Sequence, residues 1–155
     1  MTDDEKLISY ETLLHIKNVN NLLITLSKIL VARAIDHDTS KLGEIELPTF
    51  VKFTPLLAGS TYGSIEYIQF LKDMKPALDH HYEHNRHHPE YFENGINGMD
   101  LIDLIEMLCD WKAATMRHND GDIQKSISIN TERFGISDQL VSILKNTIKY
   151  FDKKD

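Results

Sequence analysis

Cysteine is almost missing from this chain: Cys109 stands alone among 155 residues, which excludes an internal disulfide. Long apolar runs are missing as well, and none approaches the roughly 18 residues that a membrane-spanning helix needs. Basic clusters are absent. The 17 Lys and Arg are mixed among 24 Asp and Glu, for a formal net charge of −7, so the sequence offers no electrostatic footprint for duplex nucleic acid or an anionic membrane. Strand signals, internal repeats and low-complexity linkers are also scarce. The opening Met-Thr-Asp-Asp-Glu-Lys is the reverse of the basic start of a secretory signal, and the expected location is the cytoplasm. A chain of 155 residues can bury a core without disulfides or a structural metal. One domain spanning 1–155 is expected.

What the sequence does contain is helical periodicity. Thr2 with Glu5 forms a capping-box pattern. Apolar residues then recur at helical spacing from Leu7 to Leu30, which predicts a helix to about Ala34 with a bend near Asn18–Asn21. Gly43, Pro48, Pro55, Gly59 and Gly63 argue for loop and short helix. Ser64 can open a helix that runs into the histidine-rich stretch, with a bend at Pro76. Asp100 and Ser137 can cap two more helices, "LIDLIEMLCDWKAATMR" and "DQLVSILKNTIKYF". The pattern predicts an all-α domain of about five or six helices. Tyr62, Tyr67, Tyr91 and Phe92 suit a core or an interface equally, which leaves the oligomeric state open.

Four features carry possible chemistry. His15 shares a helical stripe with Val19, Leu22, Leu26 and Ile29, and this side is expected to face inward. A core histidine satisfied by one hydrogen bond would look the same. His37-Asp38 can offer imidazole and carboxylate to one cation, with Lys41 placed to meet a phosphate oxygen. A polar cluster at a helix end is the plainer alternative. The run "DHHYEHNRHHPEYF" puts His80, His81, His84, His87 and His88 within nine positions, dense enough to chelate a metal, although a solvated turn needs none. Read as one helix, it sets His81 and His88 on the same face two turns apart and turns His80 away. Finally, Asp103, Glu106, Asp110, Ala114 and Arg117 form one stripe on the helix after Asp100, a pattern that a solvent-facing acidic face would also produce.

In order, His15, His37-Asp38, the histidine run and Asp110 resemble the HD-domain superfamily of all-helical, metal-dependent phosphohydrolases. The resemblance implies a compact single-domain helical bundle of HD type. It also implies a principal metal site made by His15, His37, Asp38 and Asp110, with the histidines between them completing a second site. A closer resemblance covers roughly residues 12–112. "HDTSK" with Glu46, "HHYEHNRHHPEYF" with Asn85, and "EMLCDW" are similar to an HD-like family of phages and bacteria that has no assigned activity. His81, Asn85, His87 and His88 match its pattern, and His80 and His84 match less well. The sequence departs from the wider superfamily in the short spacing between His15 and His37, which implies that a helix often found between them is merged with the first.

Such a site implies one or two divalent transition metals. Imidazole-rich ligands favour Mn, Fe, Ni, Co or Zn over Mg. Bound cations lower the pKa of water and stabilise charge on a phosphoryl group under attack. The expected activity is hydrolysis of a small phosphate ester, with a nucleotide as the substrate class that the resemblance implies. Asp38 and Lys41 are the expected catalytic residues, with Arg117 or Arg86 a further phosphate contact. His84, Asn85, His87 and Glu46 are expected to support the ligands or touch substrate. Two other classes stay open: a di-iron oxygenase of the myo-inositol oxygenase type, and a non-catalytic, metal-stabilised module of phage origin that binds a ligand or protein, in which case the host cytoplasm would be its location.

Overall fold

The computed structural model describes residues 1–61, 64–117 and 121–151. The breaker Gly63 and the aromatic Tyr62 lie outside them. Among the described residues there are seven α-helices and no strand, so the protein is all-α. No helix there is long and apolar enough to cross a membrane. The chain forms two compact units, Met1–Asp36 and His37–Asp155.

The first unit is essentially one helix, α1 (Asp3–Asp36). Its start is built as the capping-box pattern predicts: the Glu5 amide donates to Thr2 Oγ1 at 3.2 Å, and the Thr2 amide donates to Glu5 Oε2 at 2.6 Å. Asp3, Asp4 and Glu5 fill its first turn and Arg33 its last, the order that the helix dipole favours. Helical structure continues through Asn18–Asn21 as a single element. None of its residues is buried, and His15 is exposed, where the apolar stripe suggested an inward side.

The second unit contains α2 (Leu47–Gly59), α3 (Ile65–Asp73), α4 (Lys75–His84), α5 (Leu101–Thr115), α6 (Ile123–Phe134) and α7 (Asp138–Thr147). Ser64 caps α3 by accepting from the Tyr67 amide at 3.1 Å, and Ser137 caps α7 by accepting from Leu140 at 3.3 Å. Where the sequence suggested one helix bent at Pro76, two helices meet at the buried Met74. Pro76 then falls in the first turn of α4, where its missing N–H removes no hydrogen bond. The short helix expected among the breakers is the 13-residue α2, which runs through Pro55. The sequence reading did not include α6, which lies between the Asp122 cap and Gly135, whose φ of 62° suits a residue without Cβ.

The apolar core of this unit lies among α5, α6 and α7. Leu108, Ile123, Ile127, Leu144 and Ile148 form one cluster, and Met107, Ile96 and Ile136 form a second, with Trp111 packed against both. At about 100° per residue, Leu104, Met107, Leu108 and Trp111 share one side of α5. Asp103, Glu106 and Asp110 occupy the neighbouring arc. Burying the first side fixes the helix and so fixes where the three carboxylates point.

Candidate metal centre

Asp38 sits at a backbone position that few residues tolerate, with φ 57° and ψ 10°. Aspartate is among the side chains that accept the left-handed region, because it is short and polar. This turn ends the helical run and presents the Asp38 carboxylate beside His37 at the mouth of a short 3-10 turn, Thr39–Leu42.

The histidine run arrives from α4. This helix ends at His84, not beyond it, because Asn85 is extended and its side-chain amide donates to the His81 carbonyl at 2.8 Å, satisfying an acceptor of the last turn. His81 and His88 therefore do not share a helical face. The chain turns back after Asn85, and Pro89 starts a 3-10 turn, so His87 and His88 return to the side where His81 already points. The rings of His87 and His88 are 4.1 Å apart, and those of His81 and His88 are 4.8 Å apart. Arg86 holds this segment against α5: Nε donates to Asp103 Oδ1 at 3.1 Å and Nη2 to Oδ2 at 2.9 Å, while Tyr91 and Phe92 flank the guanidinium. That commits Arg86 to the fold, while Lys41 is a cation beside the cluster, paired with Asp38. Asp103 completes a capping box with Asp100.

Two overlapping groups of ligand atoms result among the described residues. Asp38, His81, His87 and His88 form one; His37, Asp38, His87 and Asp110 form the other; within each, one atom per residue lies within 4.8 Å of the rest. Asp38 and His87 belong to both. Every member comes from the His37–Asp155 unit. His15 lies in the other unit, and its place as a ligand rests on the resemblance alone. His84 is exposed, with Nδ1 donating to the His80 carbonyl at 2.7 Å. Arg117 is exposed on the turn that follows α5.

Two buried carboxylates stand behind the imidazoles. Glu46, 0 % exposed, faces His80 Nδ1 at 2.7 Å and His81 Nδ1 at 3.0 Å. Glu106 faces His37 Nδ1 at 2.9 Å and His87 Nδ1 at 3.1 Å. Ser40 and Asn85 border His81 Nδ1 as well, at 3.1 and 3.0 Å. The sequence reading placed Glu46 and Asn85 behind the ligands but passed over Glu106. Its signal was present, one turn before Asp110 on the same side of α5.

The electrostatics of the cluster are unusual. His87 Nε2 and His81 Nε2 lie 3.4 and 3.2 Å from Asp38 Oδ1. Nevertheless Asp38 Oδ1 and His87 Nε2 are both buried without a hydrogen-bond partner. His37 Nε2 lies 3.6 Å from Asp38 Oδ2 and 3.7 Å from Asp110 Oδ1. The carboxylates of Asp110 and Glu106, which accept from the ring, raise the His37 pKa to about 10. Burial, and then the neighbouring His87 and His81, push His88 down to about 3, so it stays neutral. Burial alone would raise Asp38, but the adjacent His81 and Lys41 hold it well below the usual carboxylate range. Asp110 is lowered too, its burial outweighed by His37.

A neutral imidazole whose Nδ1 donates outward presents a bare lone pair at Nε2. Lone pairs directed at a carboxylate oxygen in a buried site are costly unless a proton or a cation lies between them. Asp38 Oδ1 and His87 Nε2, buried 3.4 Å apart without a hydrogen-bond partner, are a pair that a cation can bridge, and imidazole and carboxylate ligands suit a transition metal. The buried His/Asp cluster can hold a metal ion.

The chain matches the family of unknown function DUF5662 over residues 4–150 and belongs to that family. No curated protein and no solved structure matches it.

Proposed function

We propose that the His37–Asp155 unit is a metal-dependent phosphohydrolase acting on a small phosphate ester, with a nucleotide as the class that the HD resemblance implies. The observation that supports this most is the pair of orphaned atoms, Asp38 Oδ1 and His87 Nε2, at the overlap of the two ligand groups. His37, Asp38, His87 and Asp110 would hold one ion; Asp38, His81, His87 and His88 would hold the other. A divalent Mn, Fe, Ni, Co or Zn ion bound there supplies a Lewis acid and a water of lowered pKa.

The chain's own residues serve the anionic substrate in specific ways. Lys41 Nζ pairs with Asp38 Oδ2 and lies 5.4 Å from the centre of the Phe50 ring. Asp38 thereby keeps an ammonium at the edge of the cluster, where it can neutralise a phosphate oxygen. Phe50 meets the His81 ring edge-on, with centroids 6.1 Å apart, and so lines the edge of the cluster between His81 and Lys41. The −7 net charge is compatible with an anionic substrate, because bound cations dominate the local field.

The test is phosphate release from a panel of phosphomonoesters, cyclic nucleotides and nucleoside triphosphates, with protein stripped by chelator and reloaded with each metal in turn. Turnover that disappears on chelation and returns on reloading is expected, and Lys41→Met should lower it without lowering metal content. Loaded protein that releases phosphate from no member of the panel would overturn the proposal.

A further inference from the structure

Glu46 and Glu106 repeat one arrangement. Each is a buried carboxylate, 0 % and 9 % exposed, and each reaches the Nδ1 atoms of two histidines. They come from different places, Glu46 from just before α2 and Glu106 from the middle of α5. Even so, they leave His37, His81 and His87 in one orientation. All three have Nδ1 against a carboxylate and Nε2 on the Asp38 side, where His81 Nε2 also meets His88 Nε2 at 2.9 Å. An ionised carboxylate only accepts, so each Nδ1 donates and each Nε2 carries the free pair whenever the ring is neutral.

We propose that Glu46 and Glu106 are positioning residues that select the Nδ1–H form of His37, His81 and His87 and aim their Nε2 atoms at the metal centre. The inference rests on the metal-binding part of the proposed function and is independent of the phosphohydrolase activity. Its physical basis is that an imidazole can turn over or shift its proton, and either change removes a ligand. A carboxylate fixed behind Nδ1 prevents both and makes Nε2 more basic. Glu46 has a second partner in His80, which uses the remaining oxygen, so both oxygens of this buried group are occupied by imidazoles. Glu46 therefore cannot rotate to release one ring without losing the other. This gives His80, outside both ligand groups, a role in holding the Glu46 carboxylate.

The experiment uses the full chain with isotope-labelled histidine and zinc ion as the probe. Long-range proton–nitrogen correlation spectra of the zinc-loaded wild type should show Nδ1 protonated and Nε2 metal-bound for His37, His81 and His87. Glu46→Gln and Glu106→Gln keep the size of the side chain but can offer an amide N–H to Nδ1. They should weaken zinc binding by about 10- to 100-fold and move the ring proton to Nε2 in the histidines each residue contacts. Glu46→Asp and Glu106→Asp keep an acceptor and should recover part of the loss, which a merely space-filling role would not produce. Zinc held through Nδ1 in the wild type, or glutamine variants that bind zinc as the wild type does, would overturn the inference while leaving the metal centre standing. Failure of wild type to bind zinc at these histidines would overturn both. Should a glutamine variant not fold, the wild-type spectra decide alone.

Discussion

Asp38→Asn removes one negative charge from both ligand groups at once. Asparagine has nearly the same volume and also tolerates the left-handed backbone at φ 57°, so the turn should survive. Two unit charges about 4 Å apart contribute about 4 kcal/mol at an effective dielectric of about 20. At about 1.4 kcal/mol per decade the substitution should weaken binding of even a singly charged cation on the order of a thousandfold. A divalent ion should lose at least as much. The metal-free protein also loses the contacts with His81 and Lys41 that favour a charged Asp38, so affinities are compared only for protein that keeps the wild-type fold. Competition against a coloured chelator measures the affinity, metal analysis after gel filtration measures occupancy, and circular dichroism follows the fold. An Asp38→Asn protein that folds and binds metal within about tenfold of wild type, a change of only about 1.4 kcal/mol, would refute the placement of Asp38 in the centre.

Further outcomes separate the members of the cluster. His87→Ala, which touches both ligand groups, should reduce metal content more than His88→Ala, which touches one, and His84→Ala should leave it unchanged; equal losses for His87 and His84 would contradict the assignment. The metal-free protein should also depend on pH through His37. A folded-state pKa raised to about 10 from 6.5 contributes stability that is complete below pH 6.5 and disappears as pH rises through 10. The thermal midpoint of chelator-treated wild type should therefore fall between pH 7 and pH 10 by more than that of His37→Gln, and parallel curves would remove the basis for the shift.

Much of the fold was legible. Ser64, Asp100 and Ser137 announced their helices, because each side chain accepts from an amide that the first turn leaves unsatisfied. The His37-Asp38 pair, the histidine run and Asp110 were recognisable as residues able to meet. The register of the histidines was not. A helical reading carried α4 past Asn85 and joined His81 to His88, whereas the Asn85 amide takes a last-turn carbonyl and stops the helix after His84. That reversal, a local side-chain competition with the backbone, is what makes His87 central. Glu106 was given no role for a different reason: periodicity put it on an acidic stripe that could equally face solvent, and only the packing of Leu108 and Trp111 against α6 and α7 shows that this stripe faces inward. α6 was missed although Asp122 and Gly135 bracket it, since polar residues dilute its two buried isoleucines.

The overlap of the two ligand groups is where a metal ion is expected. The most direct measurement is an anomalous difference map from crystals of the full chain grown with manganese or zinc and recorded at the absorption edge of that metal. A peak is expected within bonding distance of both Asp38 and His87 Nε2, with His37 and Asp110 or His81 and His88 completing its shell. A map with no peak at Asp38 and His87, from protein that metal analysis shows to be loaded, would contradict that expectation.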